Sequence, residues 1–140
     1  MPLWHFHHPP GAWSAEDRKK LAGEVTALYT RFGLPPFYVV ALFHPVEESS
    51  FLVGGEPAGN TVRVVVEHIA RHSDDPEFRR RTCEAISGIL DPYTRERGLS
   101  YEFHIDETPR DLWRIDGLAP PPTRSEAERL WFRENRPVPY

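Results

Sequence analysis

The stretch VRVVVEHI at residues 62–69 is a run of β-branched side chains broken only by Arg63, Glu67 and His68. That composition suits a strand buried in a sheet. Asp75 and Pro76 then open a helix, because proline at the first helical position gives up no amide that the helix needs. Phe78, Thr82, Ile86, Ile89 and Tyr93 form its inner stripe. Pro92 kinks that helix or ends its regular part. Gly98 closes the unit, and residues 99–105 (LSYEFHI) alternate as a second strand. Strand, helix and strand make one β-α-β crossover.

The first half of the chain repeats the pattern. Residues 3–8 read as a strand that Pro9, Pro10 and Gly11 stop. Ser14 stands three residues before Asp17, a helix-start signature. Leu21, Val25, Leu28 and Phe32 follow as one apolar stripe. Gly33 is a left-handed stop, and Pro35–Pro36 forbid continuation. Residues 37–43 (FYVVALF) read as a buried strand. Residues 47–60 read as a long loop with a short hairpin inside residues 50–55.

The expected fold is therefore α/β, one domain over residues 1–140. Two β-α-β units (residues 2–60 with the loop, and 61–107) form a four-stranded sheet with two helices on one face. Each crossover is right-handed. Two helices cover only one face, so the other is left for a second subunit and the chain is expected to be a homo-oligomer. Residues 108–140 form a C-terminal extension. Thr108, Pro109 and Asp111 start a helical turn, Pro120 to Pro122 make a stiff linker, and residues 125–135 form a short helix presenting Leu130 and Trp131. Apolar anchors on a segment with so little core of its own imply docking onto the oligomer.

Composition sets the outer limits. The chain has 140 residues, 39% hydrophobic and 27% charged, and a net charge of −4. A diffuse acidic balance excludes a general nucleic-acid binder, which carries a basic footprint. No apolar run approaches a membrane span. The start, Met-Pro-Leu-Trp-His, lacks the basic and long apolar parts of a secretory signal, and a cytoplasmic protein is expected. The single cysteine, Cys83, makes no internal disulfide.

Pro2 is the most informative residue for chemistry. Initiator methionine is normally removed before so small a residue, which leaves a secondary amine held by its ring. Burial beside Trp4 lowers the pKa of such an amine, and nearby arginines push the same way. A base poised near neutrality abstracts a proton next to a carbonyl. Arg71, at the end of a buried strand, either binds a carboxylate in a bidentate way or pairs with Glu67 or Asp74. His68 and His104 either relay protons or serve as hydrogen-bonded structural histidines. Tyr29 offers an active-site hydroxyl or core packing, and Trp113 a pocket wall or packing. His5 and His7 share one strand face in a His-x-His pattern, but no acidic third ligand follows at a suitable spacing, so no metal is expected.

Further segments carry a resemblance. Pro2-Leu3-Trp4 with His8-Pro9, Tyr29-Thr30 before Gly33-Leu34-Pro35, and Phe37-Tyr38-Val39-Val40 are among them. So are FLVGGEP (51–57), VRVVVEHIAR (62–71), DETPRDLWRIDGLAPPP (106–122) and ENRPVPY (134–140). Nearly end to end, the chain resembles the tautomerase superfamily, in particular its fungal and actinobacterial oxalocrotonate tautomerase-like group. It is more distantly similar to the cis-3-chloroacrylic acid dehalogenases. The resemblance implies a trimer with an amino-terminal proline at each active site, acting as base or acid. It also implies arginines that hold a substrate carboxylate and, in the dehalogenases, a carboxylate or tyrosine that activates water. Only Pro2 carries over unchanged. Tyr29 stands where that branch has a histidine, Ile69 and His72 flank Arg71 where it has an arginine pair, and His104 stands for its strand tyrosine. Its glutamate falls near Ile115, beside Asp116.

The expected function is cofactor-free keto–enol tautomerisation of a small 2-oxo acid or related carboxylate. Pro2 moves the proton, Arg71 with His72 holds the carboxylate, and Tyr29 or His104 donates to the enolate. His68 and Trp113 line the substrate site. Two alternatives stand beside it: a cofactor-free decarboxylase, hydratase or dehalogenase of three-carbon acids on the same scaffold, and a non-catalytic oligomeric protein that binds a small ligand.

Overall fold

The computed structural model describes residues 1–69 and 71–140. Its main sheet contains β1 (Pro2–His8), β2 (Val40–Pro45), β5 (Thr61–Ile69) and β6 (Ser100–Thr108). The spatial order is β2-β1-β5-β6. Helix α1 (Ala15–Thr30) joins the parallel pair β1 and β2, and α2 (Pro76–Leu90) joins the parallel pair β5 and β6. The two units meet through antiparallel β1 and β5. This is the duplicated β-α-β arrangement that the sequence pattern implies.

Local chemistry explains the helix starts. Ser14 Oγ accepts from the Asp17 amide at 3.0 Å, and the Ser14 amide donates back to the Asp17 carboxylate at 3.1 Å. Asp75 accepts from the Glu77 amide at 3.0 Å. Replacing Ser14 with alanine removes one arm of the first box and is expected to cost about 1 kcal/mol of stability, read by urea denaturation.

The alternation of β1 and β5 puts Trp4, Phe6, Val62, Val64 and Val66 into a core with Leu21, Val25, Ile86 and Leu90. Phe6 stacks on Phe43 with ring centroids 4.7 Å apart. The α1 stripe differs from the expected one at its end. Tyr29 is buried, whereas Phe32 is 63% exposed, because the helix stops at Thr30 and Gly33 turns away with φ of 79°. Phe78 also faces outward, in the first turn of α2.

The second strand begins later than the apolar run does. Pro36–Tyr38 form a tight turn in which the Tyr38 amide donates to Pro35 O at 3.0 Å. Proline fixes φ and so favours that turn over an extended start. The long loop does contain a hairpin, β3 (Leu52–Val53) with β4 (Glu56–Pro57). Gly54 and Gly55, with φ of 60° and 88°, supply its two-residue turn.

The helix-free face differs from the apolar one that a subunit contact would favour. Side chains sharing a row across the sheet lie on the same face. Rows across it hold His5 with Leu42, Val65 and His104, and His7 with His44, Arg63 and Glu102. His5 and His7 do share this face, where their rings stack against His44. Among the described residues no group of three or more His, Cys, Asp or Glu is arranged to hold a metal ion.

The extension packs on its own chain. Helix α3 (Glu126–Glu134) buries Trp131 completely, and the indole N–H donates to Val138 O at 2.7 Å. Asn135 ends α3 in the left-handed conformation, and its side-chain oxygen accepts the Phe37 amide at 2.9 Å. The last helix is thereby tied to the turn that carries Tyr38. Among the described residues no helix is long and apolar enough to cross a membrane.

Candidate active site

Strand register brings the amino terminus, β5 and the end of β6 together. Pro2 is buried and lies opposite His68, which lies opposite Glu107. Met1 continues the ladder. Its ammonium donates to Ile69 O at 2.6 Å, and the Ile69 amide donates to Met1 O at 2.8 Å. Burial, and then the Arg71 charge, push the pKa of this amine down to about 5, with Glu128 opposing. The Met1 amine is therefore largely unprotonated at neutral pH.

Beside it runs a fixed chain of hydrogen bonds. Trp4 Nε1–H donates to the Tyr29 hydroxyl at 3.0 Å, and that hydroxyl is 2.7 Å from His68 Nε2. Indole only donates, so the Tyr29 oxygen accepts from Trp4. Burial, and then the terminal ammonium, push the His68 pKa down to about 4, with Glu107 opposing. Burial also pushes the Tyr29 phenol far up. Tyr29 is thus committed to holding His68, which competes with any direct donation to an enolate.

The lowered His68 pKa has a measurable sign. The unfolded ring takes up a proton below its ordinary value of 6.5, and the folded ring only near 4. Its contribution to stability is full above pH 6.5 and is lost as pH falls toward 4. The loss is about 3 kcal/mol. Urea denaturation at pH 7 and pH 4 reads it, and His68→Gln is expected to flatten that part of the profile.

Arg71 follows β5 and pairs with Glu128 of α3, Nη2 to Oε1 at 3.3 Å. Glu128 is buried; its other oxygen accepts the Arg124 amide at 2.6 Å, and its own amide donates to Ser125 Oγ. Arg71 makes this single contact with the carboxylate and is one-third exposed. It therefore keeps N–H donors for a second anion.

Tyr38 completes this side. Its ring packs edge-on against Trp113 at 4.9 Å and Trp131 at 6.2 Å. The residue is 2% exposed, yet its hydroxyl is buried without a hydrogen-bond partner among the described residues. Such an orphan costs about 1–3 kcal/mol. Burial, with the Glu128 charge, pushes its pKa far up, against Arg110 and Arg71.

The sequence-derived residues divide accordingly. Pro2, Tyr29, His68 and Arg71 come together, and Trp113 supports Tyr38. His72 lies at the exposed rim, bound by Glu107 and, at 3.0 Å, by Asp74, which together raise its pKa. Its capacity for a carboxylate is already taken. His104 does not join its own chain's site. Its register partner is Val65, on the sheet face opposite Pro2, and its Nδ1 accepts from Arg63 at 2.8 Å. Sequence reasoning passed over Tyr38 and Glu128. The first sits in a run that reads as strand. The second carries one legible signal, Ser125 three residues before it, and that points only to a helix cap.

Comparisons with known proteins agree with this architecture. A family model described as "Putative oxalocrotonate tautomerase enzyme" matches residues 1–136. No curated protein matches the chain. Among solved structures, RhCC from Rhodococcus jostii RHA1 superposes with a TM-score of 0.96 at 42% identity, over 99% of each chain. A probable enzyme from the thermophilic fungus Aspergillus fumigatus gives 0.94 at 39% identity, over 100% of this chain and 98% of its own. A member of the cis-3-chloroacrylic acid dehalogenase family gives 0.73 at 14% identity, over 95% and 97%, a likeness of fold alone.

Proposed function

The chain belongs to the putative oxalocrotonate tautomerase family, and on that premise we propose that it is a cofactor-free tautomerase of small 2-oxo acids. Once Met1 is removed, the Pro2 nitrogen is a secondary amine at the buried end of β1. It takes a proton from the carbon next to the substrate carbonyl and returns it to the other position. Arg71 holds the substrate carboxylate. Tyr29 and His68 act as positioning residues, a neutral pair beside the amine. The observation that carries this reading is the placement of Pro2, buried at the end of β1 opposite His68, beside an arginine that makes one carboxylate contact among the described residues; the lowered pKa of the Met1 amine one residue away supports it. An unprotonated base is the form that takes a proton from carbon in enolisation, or in ketonisation takes the enol hydroxyl proton before delivering it to carbon.

The assembly we propose is a homotrimer in the cytoplasm, as the family resemblance implies, with residues 108–140 contributing to each subunit's site. Ketonisation of the enol form of a 2-oxo acid, followed spectroscopically, tests the reading; no acceleration over the buffer rate overturns it.

One observation favours a second reaction. Hydration or dehalogenation of a three-carbon acid needs a carboxylate that activates water, and Glu128 is a buried carboxylate beside Arg71. Release of halide from 3-haloacrylates, lost in Glu128→Gln, separates that reaction from tautomerisation.

A further inference from the structure

The Tyr38 hydroxyl is an unusual feature of this chain. It is an uncharged donor, buried and without a hydrogen-bond partner among the described residues, held in place from two directions. Trp113 and Trp131 pack against its ring, and Asn135 fixes the amide of the preceding residue. A polar atom that is desolvated, unpaired and immobilised is organised for a partner that arrives from solution. Trp131, against which the Tyr38 ring packs, stands three residues along α3 from Glu128, which pairs with Arg71, so Tyr38 and Arg71 are held by the same helix.

We infer that Tyr38 is the donor that recognises the 2-oxo oxygen of a small monocarboxylate whose carboxylate lies on Arg71. This rests on the tautomerase reading of the site. It also specifies the ligand: an acid with an oxygen acceptor on the carbon next to its carboxylate. During ketonisation the neutral Pro2 nitrogen takes the enol hydroxyl proton and delivers it to carbon, forming the carbon–hydrogen bond, while Tyr38 keeps its own proton and donates a hydrogen bond to the oxygen, which carries negative charge in the enolate between the two transfers. Tyr38 thereby fills the role that sequence reasoning gave to Tyr29 or His104. Tyr29 is committed to His68, and His104 lies on the other face.

Tyr38→Phe removes one oxygen and leaves the ring. Because that oxygen is unpaired in the free protein, the variant should fold as the parent does, with an unchanged or higher melting temperature. Two ligands are compared by quenching of tryptophan fluorescence: pyruvate, which has the 2-oxo oxygen, and propionate, which lacks it. The parent is expected to prefer pyruvate by about tenfold, and Tyr38→Phe to bind both alike. With an active parent, kcat for ketonisation should fall about a hundredfold in the variant, with a smaller change in KM. Preference for pyruvate that survives in Tyr38→Phe overturns the inference, as does a parent that binds neither acid or both equally. A parent that discriminates between the acids through Tyr38 but does not accelerate ketonisation would overturn the proposed activity and leave this recognition standing.

Discussion

Pro2→Ala is expected to lower kcat/KM for 2-oxo acid ketonisation by a hundredfold or more, while the far-ultraviolet spectrum and the oligomeric state stay those of the parent. The size follows from what an acid–base group contributes, typically 10²–10⁴-fold. The selectivity follows from position. Pro2 is the first residue of β1, and its register partner is His68 of β5, a pairing that the backbone makes. Alanine keeps the strand and loses the ring that holds the nitrogen in place. A second form of the protein gives a larger effect without any substitution. With Met1 retained, the Pro2 nitrogen is an amide with no proton to exchange, and activity should fall to background. Intact mass distinguishes the two forms before any assay. A Pro2→Ala protein with full activity would remove Pro2 from the chemistry, and equal activity in the Met1-retaining form would remove the amine altogether.

The fold was legible because its signals are local. The period-two and period-3.6 patterns, the Ser14 box and the Asp75–Pro76 start each depend on a few neighbouring residues, and each is realised. Errors arose where a local pattern ran past the element that carries it. Phe32 extends the α1 stripe by count, but a turn at Gly33 intervenes. Phe37 and Tyr38 extend an apolar run, but two prolines bend it first. The alternating strands also made the helix-free face polar, which the β-branched composition of residues 62–69 concealed.

The site was legible only as far as strand ends could place it. Pro2, His68 and Arg71 meet because β1 begins where β5 ends. His104 lies on the face opposite Pro2 of its own chain because the register between β5 and β6 decides its face, and composition does not reveal register. Glu128 is 57 positions from its partner Arg71, and Asn135 is 98 from Phe37. No periodicity connects such pairs. Their meeting depends on how the extension folds back, a tertiary result with no short-range signature.

That dependence makes Trp131→Ala the most disruptive single change expected outside the central sheet. The side chain is wholly buried, and its indole N–H ties α3 to Val138. Removing it costs about 3–5 kcal/mol. The loss should not spread evenly. The extension's other buried side chains are few, chiefly Trp113, Glu128 and Val138, so its attachment is a small cooperative unit that opens before the sheet does. Hydrogen exchange should quicken across residues 109–140 in Trp131→Ala, while β1 and β5 keep their protection. Trp4→Ala, an equally buried tryptophan in β1, should instead lower protection throughout. The two variants then separate scaffold from site, because undocking α3 removes Glu128 from Arg71 and the Trp131 edge from Tyr38 without touching Pro2. Activity in Trp131→Ala should fall with extension opening, at temperatures where the sheet is still intact. Uniform loss of protection in that variant would mean that the extension and the sheet are one unit, and the site would then owe its order to the whole fold.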